Sequence, residues 1–131
     1  MELLGQSLEN LFQDQKKSFS IQTACMLGIQ MIDRIKFVYS KKINHRNIKP
    51  DNFVMRLCLK SHIVYILDFG LSKKYWSSTH KRHIPFKKGK KLTETARYAS
   101  INALSGCEQS RIDDMESIVY IIMYFIRVSL P

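Results

Sequence analysis

The chain has 131 residues, 45% of them hydrophobic, which is enough for one domain with a core of its own. Its 21 basic and 11 acidic residues give a formal net charge of +10, a balance suited to acidic peptides, phosphorylated proteins or nucleic acid. Cys25, Cys58 and Cys107 lie far apart with no C-x-x-C pair, so they read as buried thiols in a reducing compartment rather than metal ligands.

The start carries Glu2, Gln6 and Glu9 where a secretory signal needs an apolar run. Ser7 then predicts a cap for a short helix through Leu8, Leu11 and Phe12. Ser20 opens a longer helix, with Ile21, Ala24, Cys25, Ile32, Ile35 and Tyr39 expected on its core face and Gly28 a mild penalty. That helix frays at Ser40, Lys41 and Lys42. Pro50 forbids a regular helix in the next segment. Residues 53–55 and 63–67 are β-prone runs that suit a small antiparallel hairpin. A long basic, irregular loop is expected from Asp68 to about Ser100. A last helix runs from about Arg111 to Arg127, with Asp113, Asp114 and Glu116 at its dipole-favoured start. Apolar residues surround its axis over 118–126, which predicts an enclosed central helix. The uncharged run 117–126 is too short for a membrane span, which needs about 20 residues.

The chemistry sits in HRNIKPDN, residues 45–52, and in Asp68-Phe69-Gly70, sixteen residues after Asn52. This spacing is that of the phosphoryl-transfer core of a protein kinase, H-R-D-x-x-x-x-N and D-F-G. Asp68 would supply a carboxylate and Asn52 a carbonyl oxygen to Mg²⁺, an ion that prefers oxygen ligands. Lys49 would offset charge on the transferred phosphate, and His45 and Arg46 would brace the loop. The third position departs from the template. Asn47 stands where a carboxylate accepts the substrate proton, and an amide is a feeble base, so severe impairment of transfer is expected. Nine lysines and arginines between Lys73 and Arg97, against Glu94 alone, read either as a solvated loop or as an anion-docking surface. Tyr75, Trp76 and Phe86 within it are read as loop anchors rather than base-stacking groups.

With MELLGQSLENLF, HRNIKPDNF, YILDFGLSKKY, HIPF, LTETARYASINA and EQSRIDDMES, the chain closely resembles the casein kinase I family through nearly all its length. The tetrad Ala99-Ser100-Ile101-Asn102, standing where most kinases carry A-P-E, is the most specific of these. The resemblance implies a mainly α fold with a small β-hairpin, a partial carboxy-terminal lobe of the protein-kinase-like (α+β) fold, with residues 1–131 as one partial domain running from the hinge through the central helix. Implied too are a monomer, ATP and Mg²⁺ as cofactors, acidic or phosphorylated protein substrates, and a cytoplasmic or nuclear location. Residue by residue, it implies an adenine hinge at Glu2, Leu3 and Leu4 beside a gatekeeper Met1, with Val54 and Leu67 beneath the base. Asn47 takes the place of the catalytic aspartate, Lys49 that of the phosphate-neutralising lysine, and Asn52 and Asp68 those of the metal ligands. Arg97 matches an arginine that reads substrate phosphate, and Asp114 an aspartate that anchors the catalytic loop from beneath.

Departures accompany the match. Glu94, Val119 and Arg56 each replace a family glycine. No glycine-rich phosphate loop and no phosphate-binding strand lysine precede residue 45, so the amino lobe is expected upstream of Met1. Three rival readings follow: a non-catalytic phosphoprotein-binding pseudokinase, a basic nucleic-acid-binding fragment, and an incomplete gene model of a full kinase.

Overall fold

The computed structural model describes residues 4–56, 62–92 and 96–128; Met1, Glu2, Leu3, Cys58 and Glu94 lie outside the described residues. Strand β1 (Leu4–Ser7) ends at Ser7, whose hydroxyl accepts from the Asn10 N–H at 3.1 Å and opens α1 (Leu8–Asp14). The Ser20 hydroxyl does the same for Thr23 at the start of α2 (Ile21–Ser40). Next come β2 (Ile43–Asn44), a 3₁₀ turn at Pro50–Asn52, β3 (Phe53–Arg56) and β4 (Val64–Ile66).

β3 and β4 pair antiparallel with Phe53 opposite Ile66 and Val54 opposite Tyr65, which is the expected hairpin. It is one part of a three-stranded sheet, because β1 adds along β3. Leu-Gly-Gln-Ser has no alternating apolar pattern, so β1 is a strand by virtue of its partner rather than its composition. The stretch after Gly70 is also more ordered than expected. β5 (Lys73–Lys74) pairs with β2, β6 (Trp76–Ser77) pairs with β7 (Arg82–His83), and Ser100 caps the short α3 (Ile101–Leu104).

Helix α4 (Arg111–Arg127) packs along α2 to make the core. Phe12, Phe19, Tyr124 and Phe125 interlock there with ring centroids 4.8–5.1 Å apart in the contacting pairs around Phe12 and Phe19.

Three expectations are corrected. The buried face of α2 is Ala24, Leu27, Gly28, Met31, Ile35 and Val38, about 60° around the helix from the expected stripe; Ile21, Cys25 and Ile32 are exposed. Gly28 lies on this face in close approach to α4, where a Cβ would stand 2.8 Å from Ile122 Cδ1 and 3.3 Å from its Cγ1. Helix α4 is enclosed on one side only, with Ile112, Val119 and Ile126 in solvent. Cys25 is accordingly exposed rather than buried, and Cys107 is half-buried. Among the described residues no helix is long and apolar enough to cross a membrane.

The Gly28 contact gives a graded expectation. Gly28→Ala meets only the outer part of the flexible Ile122 side chain and gains helix propensity, so its urea midpoint should stay near wild type. Gly28→Leu overpacks the α2–α4 seam and should cost about 1–3 kcal/mol in the same measurement.

Candidate functional site

The loop between β2 and β3 is held from below. Asp114, in the first turn of α4 and 1% exposed, accepts from the His45 N–H through Oδ2 at 2.8 Å and from the Arg46 N–H through Oδ1 at 2.9 Å. Arg46 has φ +64°, a left-handed backbone that accompanies the turn of two successive N–H groups onto one carboxylate. Burial pushes the Asp114 carboxyl up to about 6, although the two backbone donors pull the other way. Its neighbour Asp113 turns elsewhere, accepting from the Ser100 hydroxyl and from the Ser110 N–H and hydroxyl.

His45 is fully buried. Its Nδ1 accepts from the Asn47 N–H at 3.3 Å, so Nε2 carries the proton and donates to the Leu67 carbonyl at 2.9 Å. Burial holds its pKa below the ordinary histidine value, which agrees with a neutral ring. The ring also meets Phe69 edge-on at 4.8 Å.

Asn47 joins the two halves of the site. Its Nδ2 donates to Asp68 Oδ2 at 3.0 Å, and its carbonyl accepts from Asn52 Nδ2 at 2.8 Å. An ionised carboxylate only accepts, so the Asn47 amide nitrogen must face Asp68 and Oδ1 is its open acceptor. The Leu67 N–H donates to the Asn52 carbonyl at 2.8 Å, which brings residue 68 beside residue 52. Asp68 has φ +62°, and its Oδ1 accepts from the Gly70 N–H at 3.2 Å. Asn52 is buried and Asp68 is exposed, and both contact Asn47 from opposite ends.

Lys49 is half-buried in extended backbone before the 3₁₀ turn. Val54 is buried in β3, while Leu4 and Leu67 are half-buried. Glu2 lies outside the described residues. Arg97 sits apart from the loop, its guanidinium 4.3 Å from the Tyr124 ring centroid and 5.5 Å from that of Tyr98. Tyr124 in turn donates its hydroxyl to Glu9 at 3.2 Å.

A second constellation was not foreseen. Glu108, buried, accepts from Lys73 Nζ at 3.1 Å and pairs with Lys90 at 3.3 Å and Arg46 at 3.5 Å. Burial works to raise its pKa, but the Lys73 and Lys90 ammonium groups outweigh it and hold the carboxyl below its ordinary value. These groups, with Lys91, line a cavity of about 340 Å³. The one available signal was that Glu108 and Glu94 are the only acids between Asp68 and Asp113. Beside this cavity Asn44 is 1% exposed, and its Oδ1 finds no hydrogen-bond partner.

The family model for the protein kinase domain matches residues 1–131.

A pH dependence follows from Asp114. Its folded pKa lies above the unfolded value of 3.8, so folding takes up a proton and this contribution to stability falls as pH rises from about 4 to 6. Urea melts of wild type and Asp114→Asn across this range should show wild type losing about 3 kcal/mol relative to the variant. A difference independent of pH would contradict the assignment.

Proposed function

The chain belongs to the protein kinase domain family, and from that premise we propose that it is a casein kinase I-like serine/threonine kinase domain impaired at the catalytic step. Its lineage reaction is transfer of the ATP γ-phosphate to Ser or Thr of acidic or phosphorylated proteins. The lobe it represents is the carboxy-terminal one. The observation that carries the reading is Asn47 itself, whose side-chain amide donates to Asp68 while its backbone carbonyl accepts from Asn52.

The donor set suits magnesium. Asp68 offers an exposed carboxylate, and Asn52, with Nδ2 spent on Asn47, offers Oδ1. Mg²⁺ held there would neutralise phosphate charge when bound. The chain's own residues do the rest. Asp114 and His45 hold the loop, Lys49 supplies a cation for the phosphate, and Leu4, Val54 and Leu67 give apolar contact to the base. Asn47 Oδ1 can orient a substrate hydroxyl by accepting its hydrogen bond, but it cannot keep the proton. A positioned base is worth about 10²–10⁴ in rate, and that factor is lost.

A second reading, a non-catalytic phosphoprotein-binding module, is favoured by the cavity around Glu108. Arg46, Lys73, Lys90 and Lys91 against Glu108 leave a local charge of +3, four cations less one carboxylate. Phosphate fits such a site. Arg97, stacked on tyrosines, is not among its lining residues.

Two measurements separate these readings. The purified chain should incorporate no radiolabelled phosphate into casein that Asp68→Ala removes, and any such Asp68-dependent incorporation contradicts impairment. Binding of a phosphoserine peptide that is weakened by Lys90→Ala and by salt supports the module. The amide itself is tested by Asn47→Asp, which sets a second carboxylate against Asp68. That variant should melt lower than wild type without Mg²⁺, by about 1 kcal/mol, and recover when Mg²⁺ is added. Unchanged melting in both conditions would remove Asn47 from the metal-site argument.

A further inference from the structure

Asn44, whose Oδ1 lacks a partner, lines a second cavity of about 170 Å³, walled also by Tyr75, Ile84, Pro85, Phe86 and Gln109. The chain closes this cavity with its own backbone. The Ile84 N–H donates to the Tyr75 carbonyl at 3.0 Å and the Glu108 N–H to the Lys87 carbonyl at 2.8 Å. Those two bonds fix residues 84–87 against Tyr75 on one side and against the segment before α4 on the other. Asn44 is held in β2 opposite Lys73 and is 1% exposed. Its missing partner is therefore a property of the interior and not of an uncovered face.

The other polar groups on the wall are already engaged. The Glu108 carboxylate is turned to Arg46, Lys73 and Lys90, and the Ser110 hydroxyl donates to Asp113 Oδ2 at 3.0 Å. The Gln109 carbonyl accepts from Asn44 Nδ2 at 3.3 Å. This bond also orients the amide, because the reverse setting would put Oδ1 against a carbonyl oxygen. One acceptor is thus left, buried beside aromatic and aliphatic surface, where a donor would lift its desolvation cost. An anion would meet Oδ1 as charge against lone pair. A cation would lie beside Arg111, whose guanidinium stands 4.6 Å from the Tyr75 ring centroid. The occupant is therefore neutral. An apolar cavity of about 150 Å³ holds one benzene ring, so this one admits a single ring or a small fused pair.

We propose that this cavity binds a small neutral aromatic molecule carrying one N–H donor, of the size and shape of indole. The ring lies against Tyr75, Ile84, Pro85 and Phe86, and its N–H donates to Asn44 Oδ1. Phe86, 67% exposed, stands at the mouth and covers the ring once it has entered. The site uses none of Asn47, Asn52 and Asp68, so it stands or falls independently of the kinase reading.

The test is calorimetric titration of the full chain with indole and with benzofuran, which keeps the shape and carries a ring oxygen in place of the N–H. Indole should bind about tenfold more tightly than benzofuran, the discrimination that one hydrogen bond to a buried acceptor supplies. Asn44→Leu keeps the side-chain volume and removes the acceptor, so it should bring the two ligands within about twofold of each other. Phe86→Ser changes a mainly solvated ring, so it should fold like wild type and lower indole affinity at least about threefold. Phe37→Ser changes a ring that is also exposed but does not line the cavity, and should leave affinity within about twofold. The proposal is overturned if indole does not bind, or if indole and benzofuran bind wild type alike, which would leave Oδ1 to water. It is overturned equally if Asn44→Leu keeps the preference for indole. Loss of affinity in Phe37→Ser as large as in Phe86→Ser also overturns it, since the ligand would then be adhering to exposed rings.

Discussion

The arrangement rests on one buried carboxylate. Asp114 receives the backbone N–H groups of His45 and Arg46, and without that acceptor one buried and one half-buried donor would lose their partner. Burial of the charge opposes this, which is why its carboxyl is pushed up to about 6 rather than held low. The amino-terminal end of α4 lessens the opposition, because a helix start favours negative charge. Adjacent acids there divide the labour. Asp113 binds back to Ser110 and across to Ser100, while Asp114 binds the loop. One helical turn thus fixes residues 45–46, 100 and 110 at once.

Above that anchor the loop is joined to the Asp68 segment by groups that do not need an acid at position 47. His45 donates to the Leu67 carbonyl, Leu67 donates to the Asn52 carbonyl, and Asn52 donates to the Asn47 carbonyl. An aspartate at 47 would face Asp68 as a like charge. The amide turns the same contact into a hydrogen bond. The amide at this position is therefore quiet for the scaffold.

Much of this was readable in the sequence where local chemistry is strong. Ser7 and Ser20 cap their helices, the antiparallel hairpin forms from the expected runs, and the spacing of His45, Asn52 and Asp68 announced groups that converge. The failures are tertiary. Helix α2 has two apolar stripes, and sequence periodicity alone cannot say which one faces α4. The close approach of Gly28 to Ile122 of α4 marks the buried stripe, a contact that the helix-propensity penalty of glycine does not reveal. β1 could not be seen because its pattern comes from its partner. Glu108 was missed because an isolated acid has no periodicity, and its meaning comes from the cations that fold around it.

The distribution of the positive charge completes the picture. A basic loop with interleaved aromatics invites a nucleic-acid reading, but most of these rings already have partners. Trp76 lies under Lys42 at 5.8 Å and against His83 at 5.1 Å, and Tyr75 lies under Arg111 at 4.6 Å and stacks with His83 at 5.8 Å. Base stacking on Tyr75 or Trp76 would have to displace cations or imidazole that the chain itself supplies. Arg97 is engaged on Tyr124 in the same way. What remains concentrated and pointed inward is the set of Arg46, Lys73 and Lys90 around a single carboxylate. These cations are gathered on one carboxylate at the wall of a cavity of about 340 Å³ rather than strung along a surface, an arrangement unlike the extended basic track that a nucleic-acid backbone follows.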